Sequence, residues 1–340
     1  MNYDYEKETG GMTMLKVGIL GAGGIASAMA KTISQMTSAR NFAVASRDLN
    51  KAREFAAKWG VTKAYGSYEE MLADPGVDLV YVATPHSHHY PHVKLCLEHG
   101  KHVLCEKAFT VNAAQARELF RIAREKHLLL TEAMWTRFLP MRGTINEVLR
   151  SGIVGKPWLL TANLGYMISQ VERLKEPSLA GGALLDVGVY PLNFAAMVFG
   201  NDPVSITGTA VLSDKGVDRQ DSITLRYADG KIAVLNATMM GMSDRRGVID
   251  CDNGMLEIVN INCPEELRVY NKDRLLIASY RAPKCISGYE YEVEACVRAL
   301  DAGGIECPLM PHAETIRMME WMDDLRAQFG VRYPDEIEKL

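Results

Sequence analysis

The sequence Gly21-Ala22-Gly23-Gly24-Ile25-Ala26 follows directly on an apolar run, Leu15 to Leu20, and opens a helical pattern. It fits G-x-G-x-x-A. Glycines at that spacing permit a tight turn and the close approach of a pyrophosphate, and the helix start offers free N–H donors at a positive dipole end. The pattern is weak alone and gains force from the strand before it and the helix after it. It predicts a dinucleotide site. In an NAD site an acidic residue ends the second strand, about 20 residues on, and holds the ribose hydroxyls. Here that strand ends Val44-Ala45-Ser46-Arg47, so Ser46 and Arg47 stand where the acid is expected. An arginine there makes charge-assisted bonds to a 2′-phosphate and stacks on adenine. The reading favours NADP over NAD. Asp48 falls late for the ribose and suits a helix cap.

Glu106-Lys107 follows the apolar run His102 to Cys105. A lysine at that sheet edge stands beside the cofactor. Its ordinary pKa is about 10.4, and an oxidised nicotinamide ring nearby disfavours the ammonium, which helps proton transfer. The bland alternative is an exposed Glu-Lys pair at a strand end. A third stretch, Gly181-Gly182-Ala183-Leu184-Leu185-Asp186-Val187-Gly188-Val189-Tyr190-Pro191-Leu192-Asn193, puts three polar residues on an apolar background. On one helix Asp186, Tyr190 and Asn193 share a face. Pro191 complicates that face, because proline removes a helix hydrogen bond unless it lies in the first turn.

Six of the eight histidines lie between positions 86 and 102, most densely in Thr84-Pro85-His86-Ser87-His88-His89-Tyr90-Pro91-His92. Clustered imidazoles raise a metal site, but no Cys, Asp or Glu completes a ligand set and no H-E-x-x-H helix occurs. The segment reads instead as a loop after the third main strand, at the carboxyl edge where ligands bind. No metal is expected.

These residues need a frame. Apolar runs at Leu15–Leu20, Phe42–Ala45, Leu79–Ala83, His102–Cys105 and Leu128–Thr131 alternate with helical patterns. Ser67 with Glu70 and Asn112 with Gln115 mark helix starts, and Asp74-Pro75-Gly76 a stop. Alternation of this kind implies right-handed βαβ units and a doubly wound parallel sheet. The second half differs. Ser151 to Pro157 is a connection, a helix is expected over Leu184–Phe199, and Asp229-Gly230 and Asn253-Gly254 lie between paired apolar runs as hairpin turns. Helices over Tyr289–Asp301 and Ala313–Phe329 end the chain. The expected fold class is α/β: residues 14–135 a Rossmann-type NADP-binding domain, residues 136–340 an α+β substrate-binding and dimerisation domain with an open, largely antiparallel sheet, and residues 1–13 a disordered lead-in.

Composition narrows the function classes. The net charge of −4 gives no basic surface for nucleic acid or anionic lipid, and no apolar stretch is read as approaching the roughly 20 residues that cross a bilayer. The polar, acidic start lacks a signal-peptide layout. Seven cysteines, an odd number with no C-x-x-C pair, suggest reduced thiols in a cytoplasmic protein.

The glycine loop, Ala83-Thr84-Pro85 with His89 four residues after the proline, and Gly100 through Lys107 together resemble the glucose-fructose oxidoreductase/inositol dehydrogenase (Gfo/Idh/MocA) family over essentially the whole ordered chain. The family's Glu-Lys-Pro is Glu106-Lys107-Ala108 here. Glu132-Ala133-Met134-Trp135-Thr136-Arg137-Phe138 is most similar to the dimeric dihydrodiol dehydrogenase branch, which also acts on pentoses such as xylose. The family pattern D-x-G-x-H has Tyr190 in place of the histidine, as in that branch. The resemblance implies Tyr190 as proton donor and acceptor assisted by Lys107, whose charge would lower the phenol's pKa, with Asp186 orienting substrate hydroxyls. It further implies Trp135 and Arg137 at the nicotinamide, Thr84, Pro85, His86, His89 and Glu106 among the cofactor contacts, and Asn193 with Trp135 among the substrate contacts. The implied activity is NADP(H)-dependent hydride transfer at a CH–OH carbon of a sugar, cyclitol or cyclic diol, by a homodimer or homotetramer. Two rivals are an NAD(P)-assisted glycosidase or lyase with no net redox change, and a cofactor-binding regulatory protein without catalysis.

Overall fold

The structure, a computed structural model, describes residues 14–340. The expected lead-in over residues 1–13 lies outside the described residues. The first unit runs β1 (Leu15–Leu20), α1 (Gly24–Ile33), β2 (Ala39–Ala45), α2 (Leu49–Trp59), β3 (Lys63–Tyr65), α3 (Tyr68–Leu72), β4 (Leu79–Val82), α4 (His86–Glu98), β5 (His102–Glu106), α5 (Ala113–Glu125) and β6 (Leu130–Ala133). Its strands form one parallel sheet in the order β3-β2-β1-β4-β5-β6. The order reverses at β1 and β4, so a crevice opens beyond their carboxyl ends. All four residues of β4 are buried, as a strand covered on both faces requires.

Local chemistry explains the boundaries. The Asp48 side chain accepts from Asn50 N and Lys51 N at the start of α2, Ser67 accepts from Glu70 N, and Asn112 accepts from Gln115 N. Gly60 ends α2 in the left-handed region at φ +65°. The histidine-rich segment is helix α4 rather than the expected loop. Pro85 is its N-cap, and Pro91 lies only six positions into the helix, so its missing N–H removes one bond near the start.

The second unit runs α6 (Met141–Arg150), β7 (Pro157–Gly165), α7 (Glu172–Lys175), a π-helical turn (Leu184–Gly188), α8 (Val189–Phe199), then β8 (Ser205–Leu212), β9 (Asp218–Arg226), β10 (Ile232–Thr238), β11 (Gly247–Cys251), β12 (Gly254–Val259), β13 (Glu266–Asn271) and β14 (Leu276–Arg281). The sheet order is β14-β13-β12-β11-β7-β10-β9-β8. Both predicted hairpins are present, β9–β10 and β11–β12. The sheet is two antiparallel meanders joined by β7, which pairs parallel with β10 and antiparallel with β11. Strand β9 alternates from Asp221 onward, with Asp221, Ile223 and Leu225 buried, so one face packs on the π-helical turn that leads into α8 and the other is open.

The last helices, α9 (Glu290–Asp301), α10 (His312–Phe329) and α11 (Asp335–Glu338), return to the first unit. Asp323 Oδ2 accepts from Ala113 N at 2.9 Å, and His312 Nε2 lies 2.8 Å from Leu130 O. The stretch Pro177–Phe199 is apolar and long enough to cross a membrane by length and composition, which the sequence reading overlooked; 83% of its most apolar window is buried inside the protein.

Candidate active site

A cleft of about 510 Å³ lies between the two units. The first unit lines it with Gly23, Gly24, Ile25, Ala83, Thr84, Pro85, His86, Glu106, Lys107, Ala133 and Trp135. The second contributes Tyr166, Ile168, Arg173, Asp186, Val187, Tyr190, Asn262 and Tyr289. Residues predicted from three separate stretches therefore meet in one space.

The glycine loop forms the cofactor end. Gly21 has φ +103°, and a Cβ there would stand 3.0 Å from Ala83 O, so the turn between β1 and α1 needs glycine. Gly23 is the N-cap of α1 and brings no capping side chain, and a Cβ on Gly23 or Gly24 would meet open space. The helix start thus faces the cleft uncovered, as a pyrophosphate cradle must. Ala22 and Ala26 sit in the same turn, Ala26 buried under it. At the end of β2, Ser46 is buried and Arg47 exposed. The Arg47 charge is felt by Tyr68, His88 and His92, which places the guanidinium beside the start of α4. These residues fit an NADP adenosine end, with an exposed cation and no acid at the ribose position.

Lys107 is the centre of the reacting end. Its Nζ donates to Asp186 O at 2.9 Å and Asp186 Oδ1 at 3.1 Å, and lies 5.1 Å from the centroid of the Tyr190 ring. Arg173 donates to the same Oδ1 at 3.1 Å. Burial opposes the Asp186 charge, but Lys107 and Arg173 outweigh it and hold the carboxyl well below its ordinary range. His86 Nε2 is 3.8 Å from Asp186 Oδ1 and its Nδ1 is 3.1 Å from Ala180 O. Burial pushes the His86 pKa down to about 3, so this contact is neutral imidazole beside carboxylate. Glu106 is buried, accepts from Tyr81 OH and from Lys107 N, and has its pKa raised, chiefly by burial. The Lys107–Ala108 peptide is cis, and His89 holds its far side with Nδ1 2.9 Å from Ala108 O and Nε2 2.7 Å from Thr84 O.

The helix question resolves through a π-turn. Leu184–Gly188 is wound one residue looser per bond and α-geometry resumes at Val189, so Pro191 falls in the first α-turn, where its missing N–H costs little. Asp186 and Tyr190 both reach the cleft.

Three expectations are corrected. The Tyr190 phenol is not lowered by Lys107; its pKa lies well above 10 because burial dominates, with Glu106, Asp186 and Tyr166 adding to it. The ammonium sits over the ring face and is directed to Asp186. Asn193 does not line the cleft. It is fully buried on α8, accepts from Arg137 Nε at 2.6 Å and donates to Val189 O at 2.9 Å. Arg137 likewise lies beneath the cleft, 2% exposed, with Glu314 at 2.8 Å. Burial lowers its pKa from the ordinary arginine value, and Glu314 and Glu132 act the other way. Asn193 and Arg137 brace the wall behind Trp135 and Tyr190 instead of touching its contents.

The far wall was not legible. Tyr289 stacks on Trp135 with centroids 4.8 Å apart, Trp135 Nε1 donates to Asn262 Oδ1 at 3.1 Å, and Asn262 Nδ2 donates to Tyr166 OH at 2.9 Å. Tyr166, Asn262 and Tyr289 come from separate loops, so no spacing signalled them. Among the described residues, no group of three or more His, Cys, Asp or Glu is placed to hold a metal.

Comparison with known proteins agrees with this layout. Residues 15–134 match the oxidoreductase family with an NAD-binding Rossmann fold, and residues 143–257 match the GFO/IDH/MocA C-terminal domain. The trans-1,2-dihydrobenzene-1,2-diol dehydrogenase of Mus musculus is 35% identical over 333 residues, covering 95% of this chain and 99% of its own. That of Homo sapiens is 34% identical over 330 residues, covering 95% and 99%. Among solved structures, a 3-ketoreductase from Actinomadura kijaniata in complex with NADP and TDP-benzene superposes with a TM-score of 0.85 at 24% identity, covering 93% of this chain and 98% of its own. The aldose-aldose oxidoreductase of Caulobacter crescentus superposes with a TM-score of 0.83 at 20% identity, covering 93% and 97%. With both family domains matched in order and relatives above 30% identity along nearly the full length, this chain belongs to the Gfo/Idh/MocA oxidoreductase family.

Proposed function

We propose that this protein is an NADP(H)-dependent oxidoreductase moving a hydride to or from a CH–OH carbon of a sugar, cyclitol or cyclic diol. The observation that carries this reading is the convergence of Lys107, Asp186 and Tyr190 on a cleft whose other end is an uncovered glycine-rich helix start. The dehydrogenase relatives and the NADP-bound ketoreductase support the same chemistry.

Gly21 to Ala26 would hold the pyrophosphate, Ser46 and Arg47 the 2′-phosphate, and Trp135, Glu106 and Lys107 would stand at the nicotinamide. The cofactor supplies the hydride donor or acceptor. The chain supplies the proton and the geometry. Burial keeps Tyr190 a neutral phenol, so it holds the proton that a carbonyl undergoing reduction must receive. Asp186 keeps Lys107 in place and accepts hydrogen bonds from substrate hydroxyls. Trp135 and Tyr289 form an aromatic wall against which a ring's apolar face stacks, excluding water from the reacting carbon.

The open sheet face supports a homodimer, since Val211 and Ile232 are exposed on its strands. Seven free cysteines support a reducing, cytoplasmic setting. The test is a paired fluorescence titration with NADPH and NADH, followed by a substrate screen with NADP⁺ across pyranoses and cyclic diols. Tighter NADPH binding and NADPH production with at least one polyol are expected. Preference for NADH rejects the cofactor assignment, and turnover without NADPH accumulation rejects the net redox reaction.

A further inference from the structure

Strand β9 carries Asp218 and Asp221, three residues apart. An odd separation puts two strand residues on opposite faces. Here both are buried, Asp218 fully and Asp221 to 4% exposure. The cause is a bulge: Val211 faces Gln220 but Leu212 faces Asp218, so Arg219 is an extra residue and the strand face switches at it. The bulge turns Asp218 inward beside Asp221, beneath the start of the helical run that carries Asp186 and Tyr190.

There Asp218 Oδ2 accepts from Leu184 N, and the Ala183 amide also points to this carboxyl. A Cβ on Gly182 would collide with Asp218 Oδ1, so glycine lets the carboxylate reach the helix start. Asp221 lies within hydrogen-bonding reach of Asp218. Neither Asp221 oxygen nor Asp218 Oδ1 meets any other donor. Two buried carboxylates in contact repel unless one carries a proton, and a proton between them satisfies the otherwise unpaired oxygens.

We propose that Asp218 and Asp221 are positioning residues of the active site: they share one proton, ionised Asp218 takes the N–H groups that begin the catalytic helix, and Asp221 donates the shared proton to Asp218. The anion belongs on Asp218 because the helix N-terminus favours negative charge there. Burial first, and then the Asp218 charge, push the Asp221 carboxyl up to about 9, so the proton persists through neutral pH. The titratable group facing the pair from the C-terminal segment is Tyr333, with Arg326 and Glu338 behind it. Tyr333 OH donates to Gly181 O at 2.7 Å, and burial holds its pKa well above 10, so it stays neutral in the same range.

The shared proton stands apart from the reaction; its positioning role rests on the oxidoreductase reading. The experiment is thermal or urea unfolding of wild type and Asp221→Asn from pH 6 to 10, beside their turnover profiles. The native protein keeps a proton that the unfolded chain has lost, so wild-type stability falls relative to the variant as pH rises. Up to tenfold in the folding equilibrium constant is lost per pH unit, levelling above about 9. The amide of Asp221→Asn donates the same bond without titrating, so the alkaline fall in wild-type turnover is expected to be weaker in the variant. Parallel unfolding curves overturn the shared proton. An alkaline limb that the substitution leaves unmoved overturns the positioning role. The unfolding curves need no substrate, so they decide the pair even if the dehydrogenase reading fails. Should Asp221→Asn not fold, Asp218→Asn removes the partner charge but not the burial, so the slope is expected to level off at a lower pH than in wild type; an unchanged levelling point overturns the shared proton.

Discussion

Lys107 holds Asp186 twice, its Nζ standing 2.9 Å from the backbone carbonyl and 3.1 Å from the carboxylate. The carbonyl grip has a cause in the chain. Pro191, five residues on, has no N–H to return to Asp186 O in a π-turn, nor to Val187 O in an α-turn. The lysine of the first unit supplies a donor there, so the residue that interrupts the helix also ties it to the Rossmann edge.

Tyr190 is the group placed to pass the proton, and its hydroxyl adds little to the cofactor cradle. Tyr190→Phe is expected to lower turnover about 10²- to 10⁴-fold, the usual range for a lost general acid. NADPH affinity, read by fluorescence titration, is expected to stay within twofold. Near-normal rates in this variant would remove Tyr190 from the mechanism.

Removing Lys107 has a different signature. Lys107→Met leaves the buried Asp186 carboxylate with Arg173, whose side chain is 40% exposed, as its one cationic partner. Stability is expected to fall by about 3 kcal/mol, as for one partner lost from a buried ion pair. Turnover is expected to fall together with it. The double variant Lys107→Met/Asp186→Asn should recover stability but not turnover. Calorimetry on the single and double variants measures the coupling.

Much of this site is written in local patterns. The glycine loop, the Ser46-Arg47 strand end and the Glu106-Lys107 edge each sit at a strand-to-helix junction, where hydrophobic periodicity places the elements. The helix caps at Ser67 and Asn112 are likewise local chemistry. What escaped was tertiary. The central strand β7 has neighbours far away in sequence and no turn beside it to mark a hairpin. His86 to His92 looks polar and is helical, because α4 buries His86 and His89 between the glycine-loop crevice and the second unit. Tyr289 and Asn262 reach the cleft from loops and Arg173 from the short helix α7, with no common spacing. Arg137 and Asn193 carried the residue types of a binding site, yet burial made them each other's partners.

That pairing gives a prediction about stability. Asn193→Leu removes the acceptor for Arg137 Nε inside the core and leaves a buried guanidinium donor unpaired. The expected cost is about 1–3 kcal/mol in urea unfolding. KM for substrate and cofactor is expected to change little, because neither side chain lines the cleft. A large rise in substrate KM at unchanged stability would restore Asn193 to the binding surface.

The NADP assignment rests on one exposed cation. Arg47→Ala is expected to weaken NADPH binding about 10- to 100-fold, the equivalent of one charge-assisted contact of roughly 1.5–3 kcal/mol. NADH affinity should hardly move, since NADH has no 2′-phosphate. The NADPH affinity of wild type should also fall as salt rises, and that of the variant less so, because the contact is exposed and screened. Equal losses for both cofactors would place Arg47 on the adenine or the pyrophosphate instead.

Acid lability follows from His86. Its pKa is held down at about 3 by burial, while an unfolded chain titrates near 6.5. Between these values the unfolded state binds a proton that the native state refuses. Stability therefore rises with pH across this window and is lost as pH falls below about 6.5, by up to roughly 1.4 kcal/mol per pH unit for this one group. Asp186 adds to the loss only below about pH 4, because its depressed carboxyl keeps its charge until far lower pH than the unfolded one. His86→Gln retains a polar side chain without the charge change. Urea midpoints measured from pH 7 to pH 5 are expected to fall more steeply for wild type than for this variant, and equal slopes would mean that His86 takes up its proton in the folded protein.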